Sequence, residues 1–244
     1  MVSIELVDNP QQAHQLSRLF AAVWGDKNSI SVDVIVAVVH AGGYASLALR
    51  EDKSQHEVVG GSMALVGRPN DKLHSHVTGV VDGAVNSGVG RALKQHQWSW
   101  ARRNGFSAIS WTFDPLVRRN AHFNLVTLGA KVVGYHRDFY GQLDDLFNSG
   151  DNTDRLVVER QVAGCEVAPT SVTINAETSD ELITTPADIV ALRQSDSASN
   201  QALARDLRAA QRKSFESAFS ASKFVRGFTA DGAYVLARGD TEVR

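Results

Sequence analysis

The sequence predicts an α/β fold in which a mixed sheet is flanked by helices. Short runs that alternate β-branched and polar residues recur along the chain, and several are followed by segments with apolar residues three or four positions apart. A glycine-containing loop also joins a strand to a helix near residue 88. At 244 residues, the chain is long enough for one large domain or two small ones.

The composition narrows the class of protein. A hydrophobic content of 43% and a charged content of 21% are ordinary for a soluble globular protein. The net charge of −2 argues against a dedicated nucleic-acid binder. The longest apolar run, residues 34–39, is far shorter than the roughly 20 residues that span a bilayer. The first residues lack the pattern of a signal peptide, and the single cysteine, Cys165, fits a reducing compartment. We expect a cytoplasmic protein with neither membrane nor nucleic-acid partners.

The N-terminal third reads as a strand, two helices and three strands. Residues 3–7 alternate as a strand, and Asn9 and Pro10 are typical of the start of a helix that reaches Trp24. Ser31 precedes a second helix over residues 32–39. Strands follow at 44–50, 57–66 and 73–81, and the pair Gly60 and Gly61 indicates a β-bulge.

The rest of the chain continues this alternation. We predict a helix over residues 88–103, a strand over 106–113, a helix over 116–128 capped by Asp114, and a strand over 131–140. A polar break at 148–152 suggests a domain of residues 1–150 and an α+β extension, residues 151–244, packed on it. Within the extension we predict strands near 155–162 and 172–175, a helix over 200–219 and a hairpin of 223–229 with 233–238. The helix carries a basic stripe that reads as a solvated face: Arg205, Arg208, Arg212 and Lys213.

The loop before the helix at residue 88 has the features of an anion site. The glycines leave the backbone accessible, and the first turn of a helix offers unpaired N–H groups and partial positive charge. A P-loop is excluded because Arg91 and Ala92 stand where Lys and Ser/Thr are required. A Rossmann fingerprint is excluded because its third glycine is missing.

Residues 85–90, VNSGVG, resemble the pyrophosphate loop Gln/Arg-x-x-Gly-x-Gly/Ala of the GNAT superfamily of acyl-CoA-dependent N-acyltransferases, with Val85 in place of Gln/Arg. Residues 111–130 resemble the strand and the Asn-Ala…Gly helix that follow this loop. The resemblance covers residues 73–156. Within this range the sequence is similar to a bacterial branch of predicted acyltransferases. It implies a GNAT-like, largely antiparallel mixed sheet.

The resemblance also implies a reaction. Acetyl-CoA or another acyl-CoA would donate its acyl group to an amine of a small molecule or peptide, by direct attack in a ternary complex and without a metal. The pyrophosphate would bind N–H groups of the loop, the oxyanion would bind the N–H of Val80 or Val81, and Asn120 would contact cofactor or substrate. The implied cofactor-binding residues are Val80, Val81, Val85, Asn86, Ser87, Gly88, Val89, Gly90 and Asn120.

Two histidines are candidates for the catalytic base, His76 before His74. Period-two alternation predicts that His74, His76 and Thr78 share one face of their strand, opposite Ser75, Val77 and Gly79. A histidine can accept a proton near neutral pH, although a strand histidine is often only hydrogen-bonded. A metal-ligand role is disfavoured because no cysteine or carboxylate nearby completes a ligand set.

The general acid departs from the family pattern. The family tyrosine maps to Leu125, so Tyr135, Tyr140 or a water molecule would have to protonate the leaving thiolate. Val85 and Leu125 therefore keep open a second hypothesis, a non-catalytic acyl-CoA-binding or regulatory protein. A third is an interaction protein that uses only its extension. The sequence is compatible with a monomer and with a homodimer.

Overall fold

The computed structural model describes residues 2–25, 30–52, 55–68, 71–141 and 151–239. Its strands are β1 (Val2–Leu6), β2 (Tyr44–Asp52), β3 (Gln55–Val66), β4 (Lys72–Val80), β5 (Ala108–Phe113), β6 (Lys131–His136), β7 (Arg155–Gln161), β8 (Glu181–Thr184), β9 (Lys223–Phe228) and β10 (Ala233–Arg238). Its α-helices are α1 (Pro10–Trp24), α2 (Val32–His40), α3 (Val89–Arg103), α4 (Arg118–His122), α5 (Ile189–Gln194) and α6 (Ala198–Ser220). Two further turns are a 3₁₀ turn (Asp82–Ala84) and a π-helical turn (Phe123–Thr127).

The strands form two sheets. The larger has seven strands in the order β1-β2-β3-β4-β5-β7-β6, and the smaller has the order β8-β10-β9. Neighbours pair antiparallel from β1 to β4, between β6 and β7 and throughout the small sheet, whereas β4 and β5 pair in parallel. The predicted fold class, a mixed and largely antiparallel sheet with helices and an α+β C-terminal part, is confirmed. Among the described helices, none is long and apolar enough to cross a membrane.

Most of the capping, bulge and turn signals in the sequence form the predicted local structures. The Asn9 side chain accepts a hydrogen bond from the Gln12 N–H and Pro10 is the first residue of α1. The register of β2 and β3 shifts next to Gly60, which confirms the bulge. The hairpin of β9 and β10 also forms as predicted.

The secondary structure departs from the sequence predictions in several places. Residues 172–175 form no strand, because Ile174 makes a single backbone hydrogen bond to Phe228 rather than a ladder. The short elements β8 and α5 were not predicted. The helix over 116–128 is α4 continued by the π-helical turn, and Tyr140 lies in a turn beyond β6 rather than on that strand. The basic stripe of α6 is not a solvated face, because Arg208 is buried.

The chain divides into two compact units. The first unit is Met1–Trp111 with Arg160–Ala168, and the second is Thr112–Glu159 with Pro169–Arg244. The boundary predicted at residue 150 lies outside the described residues, and the division into residues 1–150 and an extension stays a prediction.

Each unit has its own core. In the first unit, Gly61 faces Leu16 and Leu19 of α1, whereas its neighbour Gly60 faces Val89 and Leu93 of α3. Helices α1 and α3 therefore pack on opposite faces of β3, and we call these the α1 face and the α3 face. In the second unit, an apolar cluster joins the chain before α4 to α5 and α6, and it contains Leu116, Val117, Ile189 and Ala204.

Candidate functional site

A gap opens along one edge of β4. This strand pairs with β5 over three residues only, Lys72 to His74 against Ala108 to Ser110, and within the described residues the register ends there. Strand β4 itself continues to Val80. From Ser75 onward its edge is therefore not bonded to β5, and we call this gap the β4–β5 cleft.

A β-bulge in β4 lies beside the cleft. Met63 of β3 pairs with Val77 and Ala64 pairs with Ser75, so His76 is the extra residue. The bulge reverses the alternation of side chains on its far side. The Ser75 side chain bonds to Lys94 on the α3 face, and Thr78 reaches the same face.

The contacts of Thr78 and Gly79 show this reversal. The Thr78 hydroxyl lies 2.8 Å from that of Ser62, to which Gln97 of α3 donates a hydrogen bond. Gly79 instead faces Trp24 on the α1 face. The prediction that Ser75 and Thr78 lie on opposite faces is therefore wrong, because period-two counting does not include a bulge.

The two candidate bases lie at this bulge. His76 is exposed and His74 is half-buried. Desolvation lowers the pKa of both imidazoles, and the nearby His76 and Lys94 lower that of His74 further. Both histidines are therefore mainly neutral at neutral pH, the form in which an imidazole accepts a proton.

The backbone at the end of β4 distinguishes the two predicted oxyanion donors. The Val81 N–H donates to the Val59 carbonyl at 3.1 Å, so it is already used by the sheet. Successive N–H groups of a strand point to opposite edges, so the Val80 N–H points to the edge of the cleft. Val81 is therefore not available as a donor, and Val80 stays the predicted one.

The glycine loop lies between the 3₁₀ turn and α3. Asn86 and Gly88 have left-handed backbone angles, with φ of 63° and 89°. The Ser87 N–H and hydroxyl both donate to the Ala84 carbonyl, at 3.3 and 2.6 Å. The N–H and the hydroxyl of Ser87 are therefore already hydrogen-bonded within the loop, contrary to the prediction that the N–H donates to the ligand.

The N-terminus of α3 remains open. The first backbone bond of the helix runs from the Ala92 N–H to the Gly88 carbonyl at 3.0 Å, so the N–H groups of Val89 and Gly90 precede it. A Cβ added at Gly88 would meet no atom within 4 Å. Val85 and Asn86 are exposed beside this space. The loop can therefore receive an anion on backbone donors.

Lys94 is a polar residue of the site that our sequence analysis missed. It is 6% exposed, its Nζ donates to the Ser75 hydroxyl at 2.7 Å, and the same Nζ lies 4.3 Å from the centre of the Trp111 ring. Burial, and secondarily the charge of Arg160, lower its pKa to about 7. A signal was present, because helical periodicity places Lys94 on the apolar stripe of α3 with Trp98 and Ala101.

The remaining predicted site residues belong to the second unit. Asn120 is a half-buried residue of α4. The Tyr140 hydroxyl lies 3.3 Å from that of Thr112, and the Arg155 guanidinium lies 5.4 Å from the Tyr140 ring centre. The Tyr135 hydroxyl donates to Asp154 at 2.5 Å, and burial together with this bond raises the tyrosine pKa. Tyr135 is thus a poor proton donor.

Asp114 is not the predicted helix cap, because α4 begins at Arg118 after the N-cap Val117 and residues 115–116 form a turn. Its carboxylate accepts a hydrogen bond from the Leu116 N–H at 2.9 Å. It also forms buried ion pairs with Arg193 at 2.9 Å and Arg208 at 2.7 Å. Burial alone would raise the pKa of Asp114, but Arg208 and Arg193 lower it to about 2. The residue is therefore charged, and it anchors the second unit.

Comparison with known proteins places the fold among acetyltransferases. No protein-family model matches the sequence, and no curated protein matches it. Among solved structures, the ribosomal-protein-S18-alanine N-acetyltransferase from Escherichia coli is similar, with a TM-score of 0.53, 12% identity, and coverage of 68% of this chain and 96% of that one. Arabidopsis thaliana NAA60 in complex with a bisubstrate analogue has a TM-score of 0.53, 14% identity, and coverage of 68% and 100%. The protein yncA from Salmonella typhimurium, solved with acetyl-CoA, has a TM-score of 0.51, 16% identity, and coverage of 69% and 98%. The chain therefore has the GNAT N-acyltransferase fold.

Proposed function

We propose that this protein is an N-acyltransferase that moves an acyl group, in our proposal acetyl, from acyl-CoA to an amine of a small molecule or peptide. The observation that carries the proposal is the combination of the glycine loop at the N-terminus of α3 with the cleft that opens along β4. The loop offers donors for a pyrophosphate, and the cleft offers a free strand edge beside them. Some neighbours of the same fold hold acetyl-CoA or CoA.

In this proposal the cofactor binds mainly to backbone. The N–H groups of Asn86, Gly88, Val89 and Gly90 hold the pyrophosphate, and the side chain of Val85 contributes no hydrogen bond. The Val80 N–H stabilises the oxyanion that forms when the amine attacks the thioester carbon. Asn120 keeps its proposed cofactor contact. No metal takes part in this scheme.

The proposed base is His76, with His74 as the alternative. The acceptor arrives as an ammonium ion and must lose a proton before its nitrogen can attack. His76 lies at the bulge, exposed and mainly neutral, so it can take this proton. The Tyr140 hydroxyl remains a candidate for the general acid that protonates the leaving thiolate.

The first experiment tests cofactor binding by titration calorimetry with CoA and acetyl-CoA. We expect Gly88→Glu to weaken binding at least about 100-fold, because a carboxylate would occupy the phosphate position. Gly88→Gln is the matched control, since it has the same size and backbone strain without the charge. Equal affinities of wild type and a folded Gly88→Glu variant would refute the loop as the pyrophosphate site.

The second experiment tests catalysis after a thiol-release screen has identified an amine. We expect His76→Ala to lower kcat by roughly 10²–10⁴-fold, the usual contribution of a general base, with CoA affinity unchanged. The acidic limb of the pH–rate profile should disappear with the imidazole. Wild-type turnover in this variant would mean that His74 or a water molecule is the general base. If the wild-type protein binds CoA but turns over no amine, the hypothesis of a non-catalytic acyl-CoA-binding protein is favoured.

A further inference from the structure

Two helix ends reach β4 at the same place, on opposite faces of the sheet. Trp24, the last residue of α1, lies against Gly79 on the α1 face, where an added Cβ would be 2.5 Å from the indole ring. Val89, the first residue of α3, lies against Gly60 on the α3 face, and Gly60 pairs with Val80. The C-terminus of α1 and the N-terminus of α3 therefore flank the end of β4.

These two helix ends carry opposite partial charges. The N-terminus of α3 is positive and offers the donors proposed for the pyrophosphate, whereas the C-terminus of α1 is negative. The last turn of α3 contains Arg102 and Arg103, which offset the negative end of that helix. The last turn of α1 contains no basic residue, so no side chain of that turn offsets its charge. The end of β4 therefore favours an anion on the α3 face and a cation on the α1 face.

The indole ring of Trp24 adds a second attraction for a cation. The ring is half-buried, and Phe20 packs against it with ring centroids 5.6 Å apart and ring planes tilted by 59°. This contact and the contact with Gly79 hold the indole at the end of α1. A tryptophan ring attracts a cation over its face more strongly than Tyr or Phe does. The ring and the helix end thus favour the same kind of ligand.

This position is next to the proposed reaction centre. The Val80 N–H is the proposed oxyanion donor, and the Cα of Gly79 is about 3.8 Å from that of Val80. A thioester whose oxygen accepts the Val80 N–H lies along the strand edge, where an amine can approach from either face of the sheet. The pyrophosphate takes the N-terminus of α3 on one face. The acceptor is therefore left the α1 face, beside Trp24.

We propose that the C-terminus of α1 and the Trp24 ring form the subsite for the acceptor, and that this subsite selects an amine that is positively charged when it binds. The inference rests on the proposed function, which leaves the kind of amine open. The substrate class is then an aliphatic amine, protonated at neutral pH, rather than an arylamine, whose nitrogen is neutral. The subsite selects and holds the acceptor, and the general base removes its proton afterwards.

The test uses two CoA thioethers that carry an acceptor-like group on the sulfur, because the acceptor itself is unidentified. Both have the same acetamidoethyl linker, which ends in a trimethylammonium group in one and in the isosteric, neutral tert-butyl group in the other. Titration calorimetry on the full chain compares both with unmodified CoA. We expect wild type to bind the charged thioether about tenfold more tightly than the neutral one, because the ring and the helix end both contribute.

Matched variants identify the source of this preference. Trp24→Leu should reduce it to about threefold or less and leave the affinity for CoA unchanged, because only the helix end remains. Trp100→Leu, at a half-buried tryptophan of α3, is the control and should behave as wild type. Ala22→Lys puts a cation at an exposed position in the last turn of α1 and should also reduce the preference, whereas Ala22→Gln should not.

The outcomes separate the two proposals. Equal affinities of wild type for the two thioethers, with CoA bound, would overturn the subsite and leave the acyl-CoA site intact. A full preference in both Trp24→Leu and Ala22→Lys would also overturn it, because the cation would then be recognised elsewhere. Binding of neither CoA nor the thioethers would overturn both proposals. If Trp24→Leu does not fold, the two Ala22 variants decide.

Discussion

The two units bury charge in opposite ways. In the first unit, Lys94 is buried against Ser75 and an aromatic ring, and its pKa falls toward neutrality. In the second unit, Asp114 and Arg208 are equally buried, yet their pKa values move apart so that both stay charged. The difference lies in the partners, since desolvation acts on both.

The cluster in the second unit is assembled from distant parts of the sequence. Asp114 precedes α4 and Asp151 precedes β7, whereas Arg193 lies in the last turn of α5 and Arg208 lies within α6. Each arginine contacts both carboxylates within 3.3 Å. A paired cluster of this kind fixes segments relative to each other, whereas the amine of Lys94 contacts only a hydroxyl group and an aromatic ring among the described residues. Burial with oppositely charged partners thus keeps a group charged, and burial without them shifts its pKa toward the neutral form.

The largest effect is expected from breaking the cluster. Arg208→Met would leave Asp114 and Asp151 to share Arg193, and removing one partner of a buried ion pair destabilises by about 3–5 kcal/mol. The midpoint of urea unfolding measures this change. Arg205→Met, at an exposed arginine of the same helix, is the matched control and should stay within about 0.5 kcal/mol of wild type. Equal stabilities of the two variants would mean that the cluster contributes nothing.

A smaller effect is expected at acid pH. The pKa of Asp114 is lowered from 3.8 to about 2, so its contribution is complete above pH 4 and is lost as the pH falls through 2. At pH 7 we expect Asp114→Asn to lower stability by about 2–3 kcal/mol. The variant should also lose less stability than wild type between pH 4 and 2, as measured by acid titration of the unfolding midpoint. Parallel acid curves would contradict this assignment.

The smallest effect has the opposite sign. The pKa shift of Lys94, from 10.5 to about 7, corresponds to about 5 kcal/mol against folding, and the lost hydrogen bond and ring contact offset about 3 kcal/mol of it. We therefore expect Lys94→Met to stabilise the protein by about 2 kcal/mol at pH 7. Between pH 7 and 10.5 the unfolded chain keeps a proton on Lys94 that the folded protein has lost. The free-energy cost of burying Lys94 therefore decreases as the pH rises, and the extra stability of Lys94→Met should decrease with it. Unfolding midpoints at pH 7 and 9.5 measure this, and a destabilised variant would show that Lys94 is structural.

Local signals in the sequence predicted most of the fold. The Asn9 cap, the Gly60 bulge, the glycine loop and the 3.6-residue period of α3 and α6 each report on a few neighbouring residues. The short strand β8 and the short helix α5 escaped prediction because each is too brief to show a period. The π-helical turn escaped because it shifts a helix by one residue without a sequence marker.

The sequence by itself determined the order of the main elements and the position of the loop, because capping, turn formation and amphipathic periodicity depend on residues within a few positions of each other. Only the tertiary structure decided which groups meet. The bulge at His76 became visible through the register of β4 against β3, and it placed Thr78 on the same face as Ser75 and Lys94. The hydrogen bond from Val81 to Val59 left Val80 as the proposed oxyanion donor, and the pairing of Asp114 with Arg208 joined residues 94 positions apart. Such contacts depend on strand pairing and desolvation across long sequence separations, which a local pattern does not encode.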